Sequence, residues 1–366
     1  MFFPAILNSG ASKRIAPSVT SSTILQTAAA SMSSGQWLQM TGGNLPSGLD
    51  LFTDLGGAAS GGSSGFCIAY CEKFARDSIN KKFYFIGSDH FAIPNPSNAH
   101  TLFLQYDEAA NAWSFVANAP WGVSPGASAT PAHGYSGSTF DGTKFWHHPP
   151  YGTSIRDWVS GSTFGTASLT GALAYTAATG CAEWFPERNR IMVSQLENGT
   201  NATLAEFNTS TRTASALVDH TSGTITGFGG YSVSIRYSSV RARVFFGGGN
   251  GSNRIWSVNS SGTVTRHDDC PVNFGPGGPN SSHMFINPSN GNPIVYSSST
   301  TWRELNIDAT AGSQWSSKGG TVSLLSTNTY DGSAYGTMAA PTEYGVVVFI
   351  KNYSPSSAAQ MWLYKP

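Results

Sequence analysis

The chain carries little charge. Of its 366 residues 11% are charged, and Lys+Arg and Asp+Glu number 20 each, so the formal net charge is zero. No basic run or stripe breaks this balance, whereas proteins that bind nucleic acids or anionic membranes present one. We therefore expect no nucleic-acid partner and no insertion into a membrane.

Cysteine is also scarce, with four residues at Cys67, Cys71, Cys181 and Cys270. Cys67 and Cys71 are four positions apart in a strand-like run, which separates them by about 13 Å, too far for a disulfide. The paired Cys-x-x-Cys spacing of a zinc site is missing. The sequence thus favours reduced, packed thiols.

Long hydrophobic runs are missing as well. The start, Met-Phe-Phe-Pro-Ala-Ile-Leu-Asn-Ser-Gly, is apolar for too few residues to cross a bilayer and has no basic segment before it. We expect no cleaved signal and no transmembrane helix. The protein is then made in a cytoplasm and stays there until it is assembled or released.

What the chain does contain is glycine, aromatic residues and small polar residues. Gly numbers 41, 40% of residues are hydrophobic and 12% are aromatic. Disordered chains combine low hydrophobicity with high net charge, and neither property holds here. This composition is typical of a folded, turn-rich β protein.

Six strongly β-forming runs recur along the chain. They start near Phe83, Phe145, Ile191, Val244, Ile294 and Val347, at successive steps of 62, 46, 53, 50 and 53 residues. A shorter strand-like run precedes each one, at 66–70, 134–140, 180–185, 230–235, 282–286 and 336–340. A third and usually a fourth alternating run follow. Four short strands with their turns need roughly 45 to 50 residues, the size of one propeller blade. The recurrence predicts an all-β, six-bladed β-propeller.

The sixth repeat ends at Pro366 after its third strand, while one strand near the start, Gln36–Thr41, belongs to no repeat. We predict that this N-terminal strand completes the C-terminal blade and closes the ring, which removes most exposed sheet edges. The predicted propeller covers residues 35–366. Its predicted blades are 66–120, 121–172, 173–224, 225–271, 272–326, and 327–366 together with 35–42.

Residues 1–34 have no recurring pattern and form a predicted extended N-terminal arm. Its apolar head contains Phe2, Phe3, Ile6 and Leu7. Such a segment either packs along its own domain or docks on a partner, because free termini usually fray. We predict that these four residues bind a partner.

Two fragments resemble a known family. Phe245-Phe-Gly-Gly-Gly is similar to an apolar run that ends in a glycine pair, and Tyr106-Asp-Glu-Ala-Ala-Asn-Ala-Trp113 contains a spaced Tyr and Trp. Together they resemble β-propellers of the kelch or galactose-oxidase-like kind. That resemblance implies the propeller fold. The copper site of the oxidases needs a tyrosine, histidines and a cross-linked cysteine, and no local motif here unites such residues.

Residues capable of chemistry are scattered. His147 and His148 precede two prolines, which predicts loop or rim positions. The stretch His267–Cys270 contains metal-ligand types, but it would need a distant partner such as His133 or His283. The candidate paired carboxylates for glycoside hydrolysis are Asp157, Glu183, Glu206 and Glu304. P-loop, dinucleotide and nucleophile-elbow motifs are missing. We predict no catalytic residue, metal or cofactor, and no enzyme.

The ten tryptophans are mostly expected between blades, because several recur at equivalent positions of third and fourth strands. Trp121 and Trp146 lie nearer connections. They are the predicted exposed aromatic residues and the candidates for binding a ligand.

These observations favour a non-catalytic structural and recognition protein. We expect a component of a virus or bacteriophage particle, such as a tail, fibre or capsid-associated protein, that docks through its arm and presents propeller loops to a protein or receptor. Its partners are other structural proteins of the assembly, with a host surface glycan or receptor as a further candidate. Its location is the virion, or alternatively the extracellular space. A carbohydrate-binding propeller lectin is one alternative function, and a secreted or released hydrolase or oxidase is another, the latter by analogy of fold alone.

Overall fold

A computed structural model describes residues 22–41, 72–87, 93–95, 98–100, 102–118, 136–149, 154–169, 181–196, 202–218, 223–226, 233–249, 251–275, 283–296, 302–318, 335–337, 339–351 and 360–366. One helix, α1, spans Ile24–Ala30. Short 3-10 turns lie at Pro186–Arg188 and Thr342–Tyr344. No helix in the described part of the chain is long and apolar enough to cross a membrane.

The strands follow the predicted recurrence closely. The first seven are β1 Trp37–Gln39, β2 Ala75–Asp77, β3 Lys82–Gly87, β4 Ile93–Asn95, β5 Asn98–His100, β6 Leu102–Asp107 and β7 Ala112–Asn118. The next eight are β8 Ser138–Phe140, β9 Phe145–His147, β10 Ser154–Trp158, β11 Gly165–Ser168, β12 Cys181–Phe185, β13 Arg190–Leu196, β14 Ala202–Asn208 and β15 Thr213–Val218. The last eleven are β16 Val233–Ser238, β17 Arg243–Gly248, β18 Ile255–Asn259, β19 Val264–Arg266, β20 His283–Ile286, β21 Pro293–Tyr296, β22 Trp302–Leu305, β23 Trp315–Lys318, β24 Tyr335–Thr337, β25 Val347–Lys351 and β26 Gln360–Tyr364.

These strands form six blades in a ring, which confirms the predicted propeller. Blade 1 is β2-β3-β6-β7, blades 2 to 5 are β8 to β11, β12 to β15, β16 to β19 and β20 to β23, and blade 6 is β24-β25-β26-β1. Every pairing within a blade is antiparallel. The first strands of blades 1 to 5 lie against one another in order around the axis, from β2 through β8, β12 and β16 to β20.

The predicted closure of the ring is also confirmed. Strand β1 pairs with β26 in the register Trp37 with Tyr364, Leu38 with Leu363 and Gln39 with Trp362. The ring of Trp37 lies 4.7 Å from that of Tyr364 and 5.9 Å from that of Trp302 in blade 5. The N-terminal strand therefore supplies both the missing edge and packing against the neighbouring blade.

The core is divided into clusters that lie between neighbouring blades, because successive side chains of a strand point to opposite faces of its sheet. Strand β25 shows the division: Val348 and Ile350 pack towards blade 1, whereas Val347 and Phe349 pack towards blade 5. All four side chains are at most 1% exposed. Inner strands are thus buried on both faces, which explains their near-continuous apolar sequences.

Most connections between the first and second and between the third and fourth strands are short turns, often with a common chemistry. In three of them Asp77, Asp107 or Asn208 comes first, and its side-chain oxygen accepts backbone N–H bonds two and three positions on, at 2.9 to 3.2 Å. The residue four positions after each of them has φ of 51 to 57°. Because neighbouring strands are antiparallel, these connections all lie on one face of the ring, called here the turn face.

Within the predicted arm, the described residues 22–34 pack on the propeller. Thr23 caps α1, its Oγ1 accepting from Gln26 N at 3.1 Å. Leu25 and Ala29 of the helix are at most 1% exposed and lie in the cluster between blades 1 and 6. The sequence suggested no helix here because seven residues are too few to show a helical period. Phe2, Phe3, Ile6 and Leu7 lie outside the described residues.

Two local differences from the prediction concern blade 1. The strand that pairs with β3 is Ala75–Asp77, not the run 66–70, which lies outside the described residues. The hairpin β4-β5 between the second and third strands was not predicted. The side chain of Asp77 accepts hydrogen bonds from the backbone of the turn between β2 and β3, and this turn determines which residues pair with β3. The sequence predicts 66–70 instead because the composition of that run favours a β-strand more strongly.

Candidate axial site

The predicted ligand residue Trp146 is buried, so the expectation that it is exposed is wrong. Its side chain is 1% exposed, and its Nε1 donates to Asp141 Oδ2 at 2.7 Å. The ring lies 5.3 Å from that of Phe207 in blade 3. A buried indole offers no face for a ligand, so Trp146 belongs to the core between blades 2 and 3. Trp121 lies outside the described residues.

The predicted rim histidines are also buried. His147 and His148 are 0% and 1% exposed, and His147 Nδ1 lies 3.0 Å from Ser138 Oγ. Burial lowers the pKa of His147 to about 3. The expectation of rim positions is therefore wrong, because β9 extends through His147 and pairs on both sides in the sheet.

The side chains of the stretch His267–Cys270 do not converge on one point, because neighbouring residues bond to different parts of the chain. His267 Nε2 lies 2.9 Å from Ser257 Oγ in its own blade. The neighbouring Asp268 instead accepts a hydrogen bond from the backbone N–H of Gly312, at 2.7 Å. Burial lowers the pKa of His267 to about 4. Among the described residues, no group of three or more His, Cys, Asp or Glu side chains is placed to hold a metal ion. His133 lies outside them.

The four candidate carboxylates lie in three different blades, each beside a cation. The pairs are Asp157 with Lys144 and Arg212, Glu183 with Lys73, Glu206 with Arg188, and Glu304 with Lys318. Burial alone would raise the pKa of Asp157, but hydrogen bonds from Arg212 and Lys144 outweigh it and hold that pKa below its usual range. Glu183 and Glu206 lie on either side of Met192 in blade 3, and each of the four carboxylates is engaged by its own cation.

At the centre of the ring lies a polar network that the sequence did not reveal. Glu72, with no exposed surface, lies three positions before Ala75, where the first strand of blade 1 begins. Its Oε1 accepts from Ser234 Oγ at 2.5 Å and from Met284 N at 2.8 Å, and its Oε2 accepts from Ser136 Oγ. One carboxylate therefore joins blades 1, 2, 4 and 5.

Arg236 is the cation of this network. Its Nη2 donates to the backbone oxygen of Glu72 at 2.7 Å and lies 3.5 Å from Oε2 of the same residue. Its Nη1 donates to Ser136 Oγ at 3.0 Å. A buried charge requires a partner and hydrogen bonds, and Glu72 with Arg236 supply both to each other.

His283 lies beside this network at the start of the first strand of blade 5. It is 1% exposed, and its ring stacks 5.4 Å from that of Tyr296. Neither ring nitrogen has a hydrogen-bond partner among the described residues. Burial lowers the pKa of His283 to about 4, so the ring is neutral at pH 7.

A second ionic cluster joins blade 1, blade 6 and α1. Glu108, with no exposed surface, accepts from Arg76 Nε at 2.8 Å, from the Tyr344 hydroxyl at 2.8 Å and from Thr23 Oγ1 at 3.4 Å. The guanidinium of Arg76 lies over the ring of Tyr344 at 4.9 Å, and its Nη1 donates to Glu343 at 2.7 Å. The helix cap is thus held at the junction where the ring closes.

A cavity of about 190 Å³ lies on the axis near the turn face. All six blades contribute to its lining, since the lining residues come from the first strands and from the turns that follow them. Its charged lining residues are Lys73, Arg76, Glu183 and Arg236. Lys73 Nζ donates to the backbone oxygen of Ala182 at 2.5 Å, and burial lowers its pKa.

Sequence reasoning missed Glu72, Arg76, Glu108 and Arg236 because no local motif marks them as charges that meet across blades. One observation could have found three of them. In a chain with few charges, residues 72–77 contain Glu72, Lys73, Arg76 and Asp77 in or just before a first strand, and Arg236 stands between apolar neighbours in another first strand. A charge in such a place is stable only when tertiary structure supplies its partner.

No protein-family model matches this chain, and no curated protein matches it. Solved structures with a similar fold include a streptogramin B lyase, at 12% identity over 81% of this chain and 95% of that chain, with a TM-score of 0.46. Catalytically inactive virginiamycin B lyase from Staphylococcus aureus, in complex with quinupristin, shares 11% identity over 90% of this chain and 98% of that chain, with a TM-score of 0.45. A nidogen/laminin complex shares 9% identity over 65% and 76%, with a TM-score of 0.43. The likeness concerns the fold, and no residue role is taken from it.

Proposed function

We propose that the protein is a non-catalytic structural and recognition module that a virus or bacteriophage particle carries. The observation that supports it best is the pairing of its inner charges across blades. Glu72 accepts hydrogen bonds from blades 2, 4 and 5, and Glu108 joins blades 1 and 6 to α1. These contacts favour a rigid ring on which other surfaces can be presented.

The placement in a particle rests on composition and on the apolar head of the arm. Docking through Phe2, Phe3, Ile6 and Leu7 is part of the proposal, as is recognition of a protein or receptor by the propeller loops. Residue 22, where the described chain begins, lies next to the Thr23 cap at the junction of blades 1 and 6. The segment 1–21 is therefore attached to a firmly packed point of the ring.

Deletion of residues 1–21 tests the docking role. We expect the shortened chain to keep the unfolding free energy of the full chain, since the buried residues Leu25, Ala29 and Met32 remain. We expect it to be lost from particles purified from the native source, as measured by the amount that sediments with them. Deletion of residues 1–34 is the matched comparison, and it should destabilise the ring because it removes those three side chains.

Two results would contradict this function. One is an equal amount of full-length and shortened chain in the particles, which would remove the docking role of residues 1–21. The other is a full-length chain that never sediments with particles, which would remove the placement itself. Unfolding curves for both chains separate either result from a simple failure to fold.

The finer relationship to kelch or galactose-oxidase-like propellers is part of the same proposal. It is supported by Gly247 and Gly248 at the end of β17 and by the rings of Tyr106 and Trp113, which lie 5.4 Å apart in blade 1. A Cβ on Gly248 would lie 2.3 Å from the backbone oxygen of Phe274, and the φ of Gly248 is 68°. Relatives that carry the glycine pair in further blades would support this kinship, and relatives that lack it in blade 4 would contradict it.

A further inference from the structure

The scaffold role uses the charges around the axial cavity but not the space that they enclose, and that space is built like a ligand site. Its volume of about 190 Å³ equals the space of about six water molecules at roughly 30 Å³ each. Pockets for drug-sized ligands begin at about 300 Å³. The cavity therefore suits a molecule smaller than a drug, up to the size of one sugar ring.

The lining has more hydrogen-bond donors than its own acceptors satisfy. Arg76 is 7% exposed at its side chain and lines the cavity, and its Nη2 has no acceptor among the described residues. A buried nitrogen without a partner is uncommon and is often matched by a bound water, ion or ligand. The missing partner of Arg76 is an acceptor, and a carboxylate oxygen is the strongest acceptor for a guanidinium.

The charges of the lining point the same way. Lys73, Arg76 and Arg236 line the cavity together with a single carboxylate, that of Glu183, which is ion-paired with Lys73. Glu72 and Glu108, which pair with Arg236 and Arg76, have no exposed surface, whereas Glu343, the second carboxylate beside Arg76, is 44% exposed. Among the residues that line the cavity, cations therefore outnumber carboxylates by three to one.

The rest of the lining suits the body of a small organic molecule. Phe140 and Phe285 supply aromatic surface, and Thr139, Ser239 and Thr342 supply hydroxyl groups. Ser239 Oγ donates to Thr342 Oγ1 at 3.3 Å, and both residues are exposed. These two hydroxyls connect blades 4 and 6 where the cavity meets solvent.

We propose that the axial cavity binds a small organic carboxylate, up to the size of an acidic monosaccharide, with its carboxylate against Arg76 and Lys73. The apolar and hydroxyl-bearing side chains then contact the body of the ligand. The site is independent of the proposed docking through residues 1–21, and it is distinct from Trp146.

Isothermal titration calorimetry of the full-length protein with glucuronate tests the site, and glucose serves as the neutral control of the same size. We expect a dissociation constant of about 1 mM or tighter for glucuronate at low ionic strength and at least tenfold weaker binding of glucose. The affinity for glucuronate should fall as salt is added, because part of it is electrostatic.

A matched pair of variants places the binding in the cavity. Ser239→Trp adds a bulky side chain at a lining residue, whereas Val240→Trp adds the same side chain at the next position, which is 49% exposed and does not line the cavity. We expect Ser239→Trp to weaken glucuronate binding at least tenfold and Val240→Trp to leave it within twofold. Thr342→Trp repeats the test from blade 6 if Ser239→Trp does not fold.

The role of Arg76 has its own variant, Arg76→Lys, which keeps the charge and removes the unpartnered Nη2. We expect at least fivefold weaker binding of glucuronate to a protein whose thermal unfolding shows that it is folded. Titration with acetate separates two ligand sources: comparable binding of acetate indicates a free small acid, and at least tenfold preference for glucuronate indicates an acidic sugar. No binding of either carboxylate, equal binding of glucose, or binding that Ser239→Trp and Thr342→Trp leave unchanged would overturn the proposal.

Discussion

At the residue scale, Glu72 accepts hydrogen bonds from three blades other than its own. Removing one partner from a buried ion pair is costly because the remaining charge keeps its desolvation cost without its attraction. Arg236 would be left in that position, at 6% exposure. The stability of the ring therefore depends on a charged residue that belongs to none of the hydrophobic clusters.

Glu72→Gln should lower the free energy of unfolding by about 3 kcal/mol, since the amide keeps the shape but loses the charge opposite Arg236. Asp308→Asn is the control, because Asp308 is 64% exposed in its ion pair with Arg241 and should change stability by less than about 1 kcal/mol. Urea unfolding measures both. A change at Glu72 as small as that at Asp308 would show that the network contributes little.

Ala242 has φ of 47°, a left-handed conformation that costs an L-residue with a Cβ roughly 1 to 2 kcal/mol. Ala242→Gly removes that conformational strain from the folded state, but glycine also increases the conformational entropy of the unfolded chain, which offsets part of the effect. We therefore expect the free energy of unfolding to rise by about 0.5 kcal/mol. Ala110→Gly, at an exposed turn residue outside the left-handed set, should instead destabilise. Thermal unfolding compares the two, and equal effects of both changes would contradict the strain argument.

At the element scale, α1 and β1 are the two segments that join the start of the chain to its end. Gly35 N donates to Lys365 O at 2.7 Å, and Lys365 Nζ donates to Ala29 O at 3.2 Å. A helix of seven residues has little stability of its own. Its position therefore depends on the apolar side chains that it buries between blades 1 and 6.

Two adjacent residues of α1 test this dependence. Leu25 has no exposed surface, whereas Ile24 is 45% exposed. Leu25→Ala should cost about 2 to 4 kcal/mol through the cavity that it leaves, and Ile24→Ala should cost less than about 1 kcal/mol. Chemical denaturation gives both values. Equal, small effects would mean that the helix is not part of the cooperative unit.

At the scale of the whole molecule, three of the four histidines that are buried in the described part of the chain make the fold sensitive to acid. Burial lowers the pKa values of His147, His267 and His283 to about 3, 4 and 4. An unfolded chain binds protons at these residues near pH 6.5. Between about pH 6.5 and 4 the unfolded state thus holds more protons than the folded state, and stability falls as the pH falls.

Each of these histidines should contribute about 1.4 kcal/mol per pH unit, so the loss approaches about 4 kcal/mol per unit where all three titrate. Urea unfolding at pH 7, 6 and 5 measures the slope. His283→Phe keeps an aromatic ring beside Tyr296 and removes one titrating group, so the slope should fall by about a third. An unfolding free energy that stays constant from pH 7 to 5 would contradict this account.

The ring itself could be predicted because its pattern is local and repeated. A strand in the middle of a blade buries both faces, so a run such as residues 346–350 is apolar throughout and stands out in the sequence. The exposure of the predicted site residues could not be predicted in this way, because it depends on which side chains of the neighbouring blade cover them. Trp146 is the example: its short strand precedes two prolines, yet blade 3 covers it completely.

By itself the sequence determined the fold class, the number of blades and the closing strand, since strand periodicity and the count of strands are properties of contiguous residues. Only the tertiary structure decided the axial site. Glu72 meets Ser234 and Met284 across 162 and 212 positions of the chain. The ring brings these residues together at its axis, and no short pattern records a contact between residues so far apart. Because the charges of Glu72 and Arg236 are buried, the fold is stable only when each has the other as its partner.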